Sequence, residues 1–122
     1  MESKHSLLKS FKYAFDGLST ALTKGRNFRI QITLGAIAVI FGLFLGFSAL
    51  EWTVLVLIIA SVLILELINT SLESIVNIVS PEIRSEAKIA KDMAAGAVLI
   101  ASLASIVIGA ILFLPKILSI FP

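Results

Sequence analysis

Three long stretches with few or no charged residues constrain this chain more than any other feature of its sequence. Residues 30–50 and 93–115 contain no Asp, Glu, Lys or Arg, and residues 52–79 are mainly apolar apart from a short polar set that includes Glu66 and Glu73. A helix needs about 20 mostly apolar residues to span a bilayer. A hydrophobic fraction of 58% in 122 residues is more than a small soluble domain can bury. The sequence therefore predicts an all-α integral membrane protein.

The composition also excludes several kinds of chemistry. The chain has no cysteine and a single histidine, so thiol catalysis, disulfides and zinc sites built from these residues are not expected. A net charge of +2 is too small to favour a nucleic-acid partner. No GxxxxGK[ST] phosphate loop is present. Sites built from Asp and Glu oxygens suit Mg²⁺ instead.

The expected organisation is a single membrane domain over residues 1–122, with a surface helix at 6–24 and spans at 29–48, 51–79 and 87–114. Apolar residues at helical spacing predict an amphipathic first helix on the membrane surface; a soluble helix packed on a partner is the alternative. Lys and Arg cluster before the first span and between the last two. The positive-inside rule then predicts a cytoplasmic N-terminus and an outside C-terminus.

Glycines mark two further positions in this plan. Gly25 follows the surface helix, where a left-handed cap is expected. Gly42 and Gly46 have the small-xxx-small spacing that suits helix packing in lipid. On the third span, a stripe of small residues predicts close packing: Ala94, Ala97, Ala101, Ser105 and Gly109.

A polar stripe on the second span is the strongest functional signal. Glu66, Asn69, Glu73 and Asn77 fall within a sector of roughly 80° on one helix face. Carboxylates are costly in a membrane and usually face a bundle interior or a wet cavity on a functional path. The two amides could instead bond neighbouring helices, but no Lys or Arg lies within the apolar stretches to neutralise the glutamates.

The second connection and the start of the third span carry a further charged cluster. Glu82, Arg84 and Lys88 precede the pair Lys91-Asp92, which would lie at membrane-surface depth near the end of the polar stripe. A lysine beside carboxylates can hold a phosphate and a divalent cation together. Ordinary snorkelling of Lys88 and Lys91 to the membrane surface is the alternative.

Two motifs carry a resemblance to a known family. They are E-x-x-N-x-x-x-E at 66–73 and A-K-D-M-A-A-G at 90–96. Together with the N-F-R sequence at 27–29, they resemble the prokaryotic diacylglycerol kinases, which include undecaprenol kinases, over nearly the whole chain. The ending F-L-P-K at 113–116 is more similar to the undecaprenol kinase branch.

The resemblance implies a homotrimeric lipid kinase of the bacterial cytoplasmic membrane, with active sites shared between protomers. Such an enzyme moves the γ-phosphate of ATP to the hydroxyl of undecaprenol or diacylglycerol. By position, Glu66 would be the general base, Asn69 would position the catalytic face, and Glu73 would hold Mg²⁺. The resemblance assigns nucleotide contacts to Tyr13, Glu73, Glu82, Arg84, Lys91 and Asp92, and lipid contacts to Asn27, Phe28, Arg29 and Glu66.

Two positions depart from the family pattern. Gly25 stands where a glutamate usually shares the metal with Glu73, and Asn77 stands where an aspartate is frequent. Loss of one carboxylate should weaken Mg²⁺ binding, although Mg²⁺ often uses only one or two protein carboxylates. A non-catalytic or degenerate scaffold of the same fold therefore stays as an alternative function. A small proton or ion pathway is another, since it would use both glutamates.

Overall fold

The described residues form four helices joined by short connections. The computed structural model describes residues 2–82 and 84–121, with side chains described from Ser6 onward. The helices are α1 (Glu2–Lys24), α2 (Arg26–Leu45), α3 (Ala49–Val79) and α4 (Ser85–Ile120). Three of them, α2, α3 and α4, are long and apolar enough to cross a membrane. The prediction of an N-terminal helix followed by three membrane-spanning helices is confirmed.

The junction between α1 and α2 bends at Gly25 without a left-handed residue. Gly25 has φ −91° and ψ 100° and is the N-cap of α2, so the expectation of a positive φ was wrong. Its N–H still donates to Ala21 O, and its own carbonyl accepts from Arg29 N, so one residue serves both helices. A Cβ added here would lie 2.6 Å from Ala21 O. Crowding against the backbone of α1, and not φ, is what suits this position to glycine.

The α2–α3 turn is tight and fully capped. Gly46 has φ 67° and ψ 50° and ends α2 in the left-handed conformation, which glycine adopts without a Cβ penalty. Ser48 and Glu51 then form a capping box at the start of α3, since each side chain bonds the other's backbone N–H. The two glycines of the small-xxx-small motif therefore have different structural roles. Gly42 is buried and packs so closely on Trp52 that a Cβ would lie 2.9 Å from its ring, whereas Gly46 is a cap.

Packing of α3 on α4 forms the principal interface of the chain. The buried core lies toward the α2–α3 turn, where Phe47, Leu55 and Leu112 cluster. Many large apolar side chains elsewhere are exposed, and Phe44 is 84% exposed. Such a surface suits contact with lipid, because a soluble monomer rarely exposes so large an apolar area.

The last helix runs further than the apolar stretch. It begins at Ser85 and ends at Ile120, with Pro115 inside it, whereas the predicted span was 87–114. Just after this proline, Lys116 Nζ lies 3.3 Å from Glu51 Oε1 and 5.6 Å from the centre of the Phe47 ring. These contacts join the end of α4 to the α2–α3 turn.

Candidate functional site

The polar stripe of α3 changes from buried to exposed along the helix. Glu66 is 5% exposed and Asn69 is 8% exposed, and they are the buried polar residues of the described chain. Glu73, two turns further on, is half-buried, and Asn77 is exposed. The stripe therefore leads from the interior between the helices to the open end near the α3–α4 connection.

Side-chain hydrogen bonds hold the two carboxylates. Gln31 of α2 donates from Nε2 to Glu66 Oε2 at 3.5 Å, and Asn69 donates from Nδ2 to Glu73 Oε1 at 3.4 Å. The remaining oxygens of both amides, Gln31 Oε1 and Asn69 Oδ1, are buried without a partner among the described residues. Buried polar atoms in folded proteins nearly always have a partner, so these two acceptors mark a place for a donor.

At the open end, α3 and α4 enclose a cavity of about 450 Å³, called here the α3–α4 cavity. It lies between the last two turns of α3 and the first turns of α4, beside the connection at Pro81. Its lining brings together five of the six side chains that the resemblance assigned to nucleotide: Glu73, Glu82, Arg84, Lys91 and Asp92.

Most charges around this cavity are paired. Lys88 and Asp92 form an ion pair at 2.5 Å, one helical turn apart on α4. Arg84 lies 3.9 Å from Glu82. Lys91 instead donates from Nζ to the neutral Asn77 Oδ1 at 2.7 Å, and it forms no ion pair among the described side chains. Its positive charge is therefore not neutralised by a carboxylate.

Tyr13 lies apart from this group. It is 65% exposed and lines a different cavity of about 810 Å³ between α1 and α3, called here the α1–α3 cavity. This cavity also borders Gly25 and the Thr70 and Ser74 face of α3, which adjoins the polar stripe on the helix surface. One chain thus does not bring Tyr13 to the other five residues.

Besides Glu66, the expected lipid contacts are the consecutive residues 27–29, which have different surroundings. Asn27 is exposed, whereas Phe28 is only 4% exposed and belongs to the packed interior. Arg29 donates from Nη1 to two carbonyls at the end of α1, Leu22 O and Thr23 O, at 2.9 Å each. A cation on the last carbonyls of a helix is a favourable cap. In this chain Arg29 therefore joins the end of α1 to the start of α2.

The described residues contain no cluster of three or more metal-ligating side chains. Glu73 is the carboxylate of the stripe that opens into the α3–α4 cavity. Asn69 donates to Glu73, and its Oδ1 is buried without a partner among the described residues. Oxygen ligands of this kind fit Mg²⁺ that is carried mainly by phosphates, because Mg²⁺ keeps waters and uses few protein ligands.

Two side chains with a place in the site were not singled out from the sequence as site residues. Gln31 holds Glu66, and Lys88 holds Asp92. A signal for Gln31 was available, because it is an amide inside the first uncharged stretch. For Lys88 the i, i+4 spacing to Asp92 on a predicted helix was the available signal.

Three helices that are long and apolar enough to span a membrane, with a buried carboxylate and a charged cavity at one end, define a multi-pass membrane protein with a polar site. Comparison with known proteins makes this more specific. A family model described as prokaryotic diacylglycerol kinase matches residues 12–113. The chain belongs to the prokaryotic diacylglycerol kinase family.

Named relatives cover most of the chain. It is 45% identical to a diacylglycerol kinase of Synechocystis over 94% of this chain and 66% of that protein. It is 36% identical to the undecaprenol kinase of Bacillus subtilis over 88% of each chain. A diacylglycerol kinase of Escherichia coli K12 is 28% identical over 87% of each chain. The proteins named here are lipid kinases, and they include both diacylglycerol kinases and an undecaprenol kinase.

Proposed function

We propose that this chain is an ATP-dependent lipid kinase that transfers the γ-phosphate of ATP to the hydroxyl of a membrane lipid, either undecaprenol or diacylglycerol. The observation that carries the proposal is the placement of the two carboxylates. Glu66 is buried between apolar helices, and Glu73 opens into a cavity that also holds Lys91 and Asp92. A lipid hydroxyl and a water-soluble phosphate donor need these two surroundings side by side.

The rise per residue of α3 gives the depths of Glu66 and Glu73 in the bilayer. From Ala49 to Glu66 is about 26 Å of helix at 1.5 Å per residue, close to the roughly 30 Å of the hydrocarbon core. Glu66 therefore lies near the boundary of the hydrocarbon when α3 starts at the opposite surface. Glu73 lies about 10 Å further along, among headgroups and water. By the distribution of Lys and Arg, this end is the cytoplasmic one.

In the proposed reaction, Glu66 accepts the proton of the lipid hydroxyl while the hydroxyl oxygen forms a bond to the γ-phosphorus. The bond from that phosphorus to the β,γ-bridging oxygen breaks, and ADP leaves. Phosphoryl transfer depends on positioning and on charge stabilisation more than on covalent chemistry by the protein. Lys91 supplies a positive charge for the phosphates, and Gln31 holds the Glu66 carboxylate through Oε2.

Mg²⁺ is the metal that this reaction would use. Glu73 would hold it together with the nucleotide phosphates, and bound Mg²⁺ would neutralise charge that develops on the transferred phosphoryl group. Gly25 supplies no carboxylate, so the protein's share of the ligands is small. We expect a high Mg²⁺ requirement for this reason.

A homotrimer with shared active sites completes the proposal. Tyr13 borders the α1–α3 cavity, whereas the other five residues assigned to the nucleotide border the α3–α4 cavity. A neighbouring protomer could bring a surface helix to the nucleotide. Mixing Glu66→Gln protomers with Tyr13→Ala protomers tests this arrangement, because a site that takes α3 and α4 from one protomer and α1 from its neighbour would regain both side chains. Recovery of activity in the mixture supports a site built across the interface, and no recovery at any ratio contradicts it.

The experiment for the function itself uses purified protein in lipid nanodiscs with γ-labelled ATP. Diacylglycerol and undecaprenol are offered separately, and ATP hydrolysis without added lipid alcohol is the control. Label in either lipid supports a kinase and identifies its substrate. Nucleotide binding without transfer to either lipid indicates a degenerate scaffold. A proton flux in liposomes without transfer of phosphate indicates a proton pathway. The buried aliphatic residues Val62 and Leu55, which lie between Glu66 and the start of α3, disfavour such a pathway.

A further inference from the structure

Asn77 is the neutral partner of the one lysine that faces the α3–α4 cavity without an ion pair among the described side chains. Its Oδ1 accepts from Lys91 Nζ at 2.7 Å, across from α3 to α4. This contact is the shorter of the two inter-helix side-chain hydrogen bonds near the stripe, since Gln31 and Glu66 are 3.5 Å apart. The family resemblance gave Asn77 only as a departure and assigned it no role.

The chemistry of an amide partner differs from that of a carboxylate. An amide oxygen fixes the direction of an ammonium group but leaves its full charge available. A carboxylate at the same place would cancel that charge and compete with a phosphate for the same N–H donors. Lys88 illustrates the second case, because its ion pair with Asp92 commits both groups to each other.

On the proposed function, we infer that Asn77 is a positioning residue for the nucleotide phosphates. Asn77 holds the Lys91 ammonium at the wall of the α3–α4 cavity, which Glu73 also lines. As a neutral amide, Asn77 does not neutralise the charge of Lys91. Compared with an aspartate at position 77, the asparagine also leaves one negative charge fewer around a site that must accept the polyanion ATP. The departure at position 77 therefore favours ATP binding in this chain.

A thermodynamic cycle on ATP binding tests the positioning role without requiring turnover. Affinity for ATP, in the absence of lipid alcohol, is measured for the full chain in nanodiscs and for Asn77→Leu, Lys91→Met and the double variant. Asn77→Leu is expected to weaken ATP binding by about tenfold, as the loss of a hydrogen bond to a charged group does. In the Lys91→Met background the same change should have almost no effect, because residues that act through one contact are not additive.

A second variant tests the charge argument. Asn77→Asp keeps the acceptor oxygen and adds a negative charge, so it should weaken binding of metal-free ATP. Thr53→Val is the matched control, because it removes a hydroxyl that bonds Ala49 O near the other end of α3; it should leave ATP affinity unchanged. Asn77 is exposed, so these variants should fold, and thermal unfolding checks this.

The outcomes separate this inference from the proposed function. Equal losses from Asn77→Leu with and without Lys91 overturn the positioning role, and so does an Asn77→Asp protein that binds metal-free ATP as tightly as the natural chain. In both cases the natural chain still binds ATP and transfers its γ-phosphate to lipid, so the proposed function stands. A natural chain that binds no ATP overturns the proposed function and this inference together.

Discussion

Asn69 links the buried and open parts of the polar stripe through its hydrogen bond to Glu73, with 3.4 Å between Nδ2 and Oε1. Its own oxygen is buried without a partner among the described residues. One amide thus orients the carboxylate proposed for the metal and keeps an acceptor free one turn from Glu66. Asn69 therefore lies between the two carboxylates for which different roles are proposed.

Replacing Asn69 with leucine should lower phosphoryl transfer strongly while the fold is retained. The change removes the donor to Glu73 and the free acceptor, and we expect turnover to fall about tenfold or more, as losses of positioned polar groups do. Initial rates at saturating ATP and Mg²⁺ measure the effect. Ser61→Ala, which removes an exposed hydroxyl on the same helix, is the control. Equal rates for Asn69→Leu and the natural chain would exclude a catalytic part for this amide.

Position 25 combines a steric cost with a possible metal ligand. Any side chain there places a Cβ 2.6 Å from Ala21 O unless the backbone shifts, so Gly25→Gln and Gly25→Glu should both lose roughly 1–3 kcal/mol of stability. They differ only in charge. Because a glutamate adds a carboxylate, Gly25→Glu should need several-fold less Mg²⁺ than Gly25→Gln for half-maximal rate. A Mg²⁺ titration of both proteins makes the comparison, and identical requirements would show that the family's metal arrangement does not apply to this chain.

The ion pair between Glu51 and Lys116 should contribute to stability and not to catalysis. Their side chains are 25% and 30% exposed, and they join the start of α3 to the end of α4. Glu51→Gln preserves an acceptor for the capping box but removes the charge. We expect Glu51→Gln and Lys116→Met each to cost about 1 kcal/mol or less, with a double variant no worse than the larger single one. Thermal unfolding in detergent measures this, and additive losses would contradict a direct pairing.

The sequence predicted the helical membrane fold because long apolar stretches allow few alternatives in a bilayer. It also placed Glu66 and Glu73 on one face, since the helical period is fixed. It did not predict which groups meet across helices. The contacts of Gln31 with Glu66 and of Lys91 with Asn77 depend on how α2 and α4 rotate against α3, and one helical period cannot set that rotation.

Local geometry at glycines shows the same limit. A glycine after a helix is usually a left-handed cap, but Gly25 both ends α1 and begins α2, and the second role determines its φ. Gly46, first interpreted as a packing residue, is the left-handed cap instead. The small-residue stripe of α4 is similarly divided. Ala101 is buried, whereas Ser105 and Gly109 line a cavity of about 260 Å³ between the spans.

The central claim is that Glu66 accepts the proton of a lipid hydroxyl during transfer of phosphate from ATP. The most direct measurement is the rate of label transfer from γ-labelled ATP to lipid by Glu66→Gln, beside the natural chain, in nanodiscs at neutral pH. The amide has the same shape but cannot accept the proton, so transfer should fall by about 10²–10⁴-fold, while ATP affinity and thermal unfolding stay unchanged. A Glu66→Gln protein with at least half of the natural turnover would contradict the account.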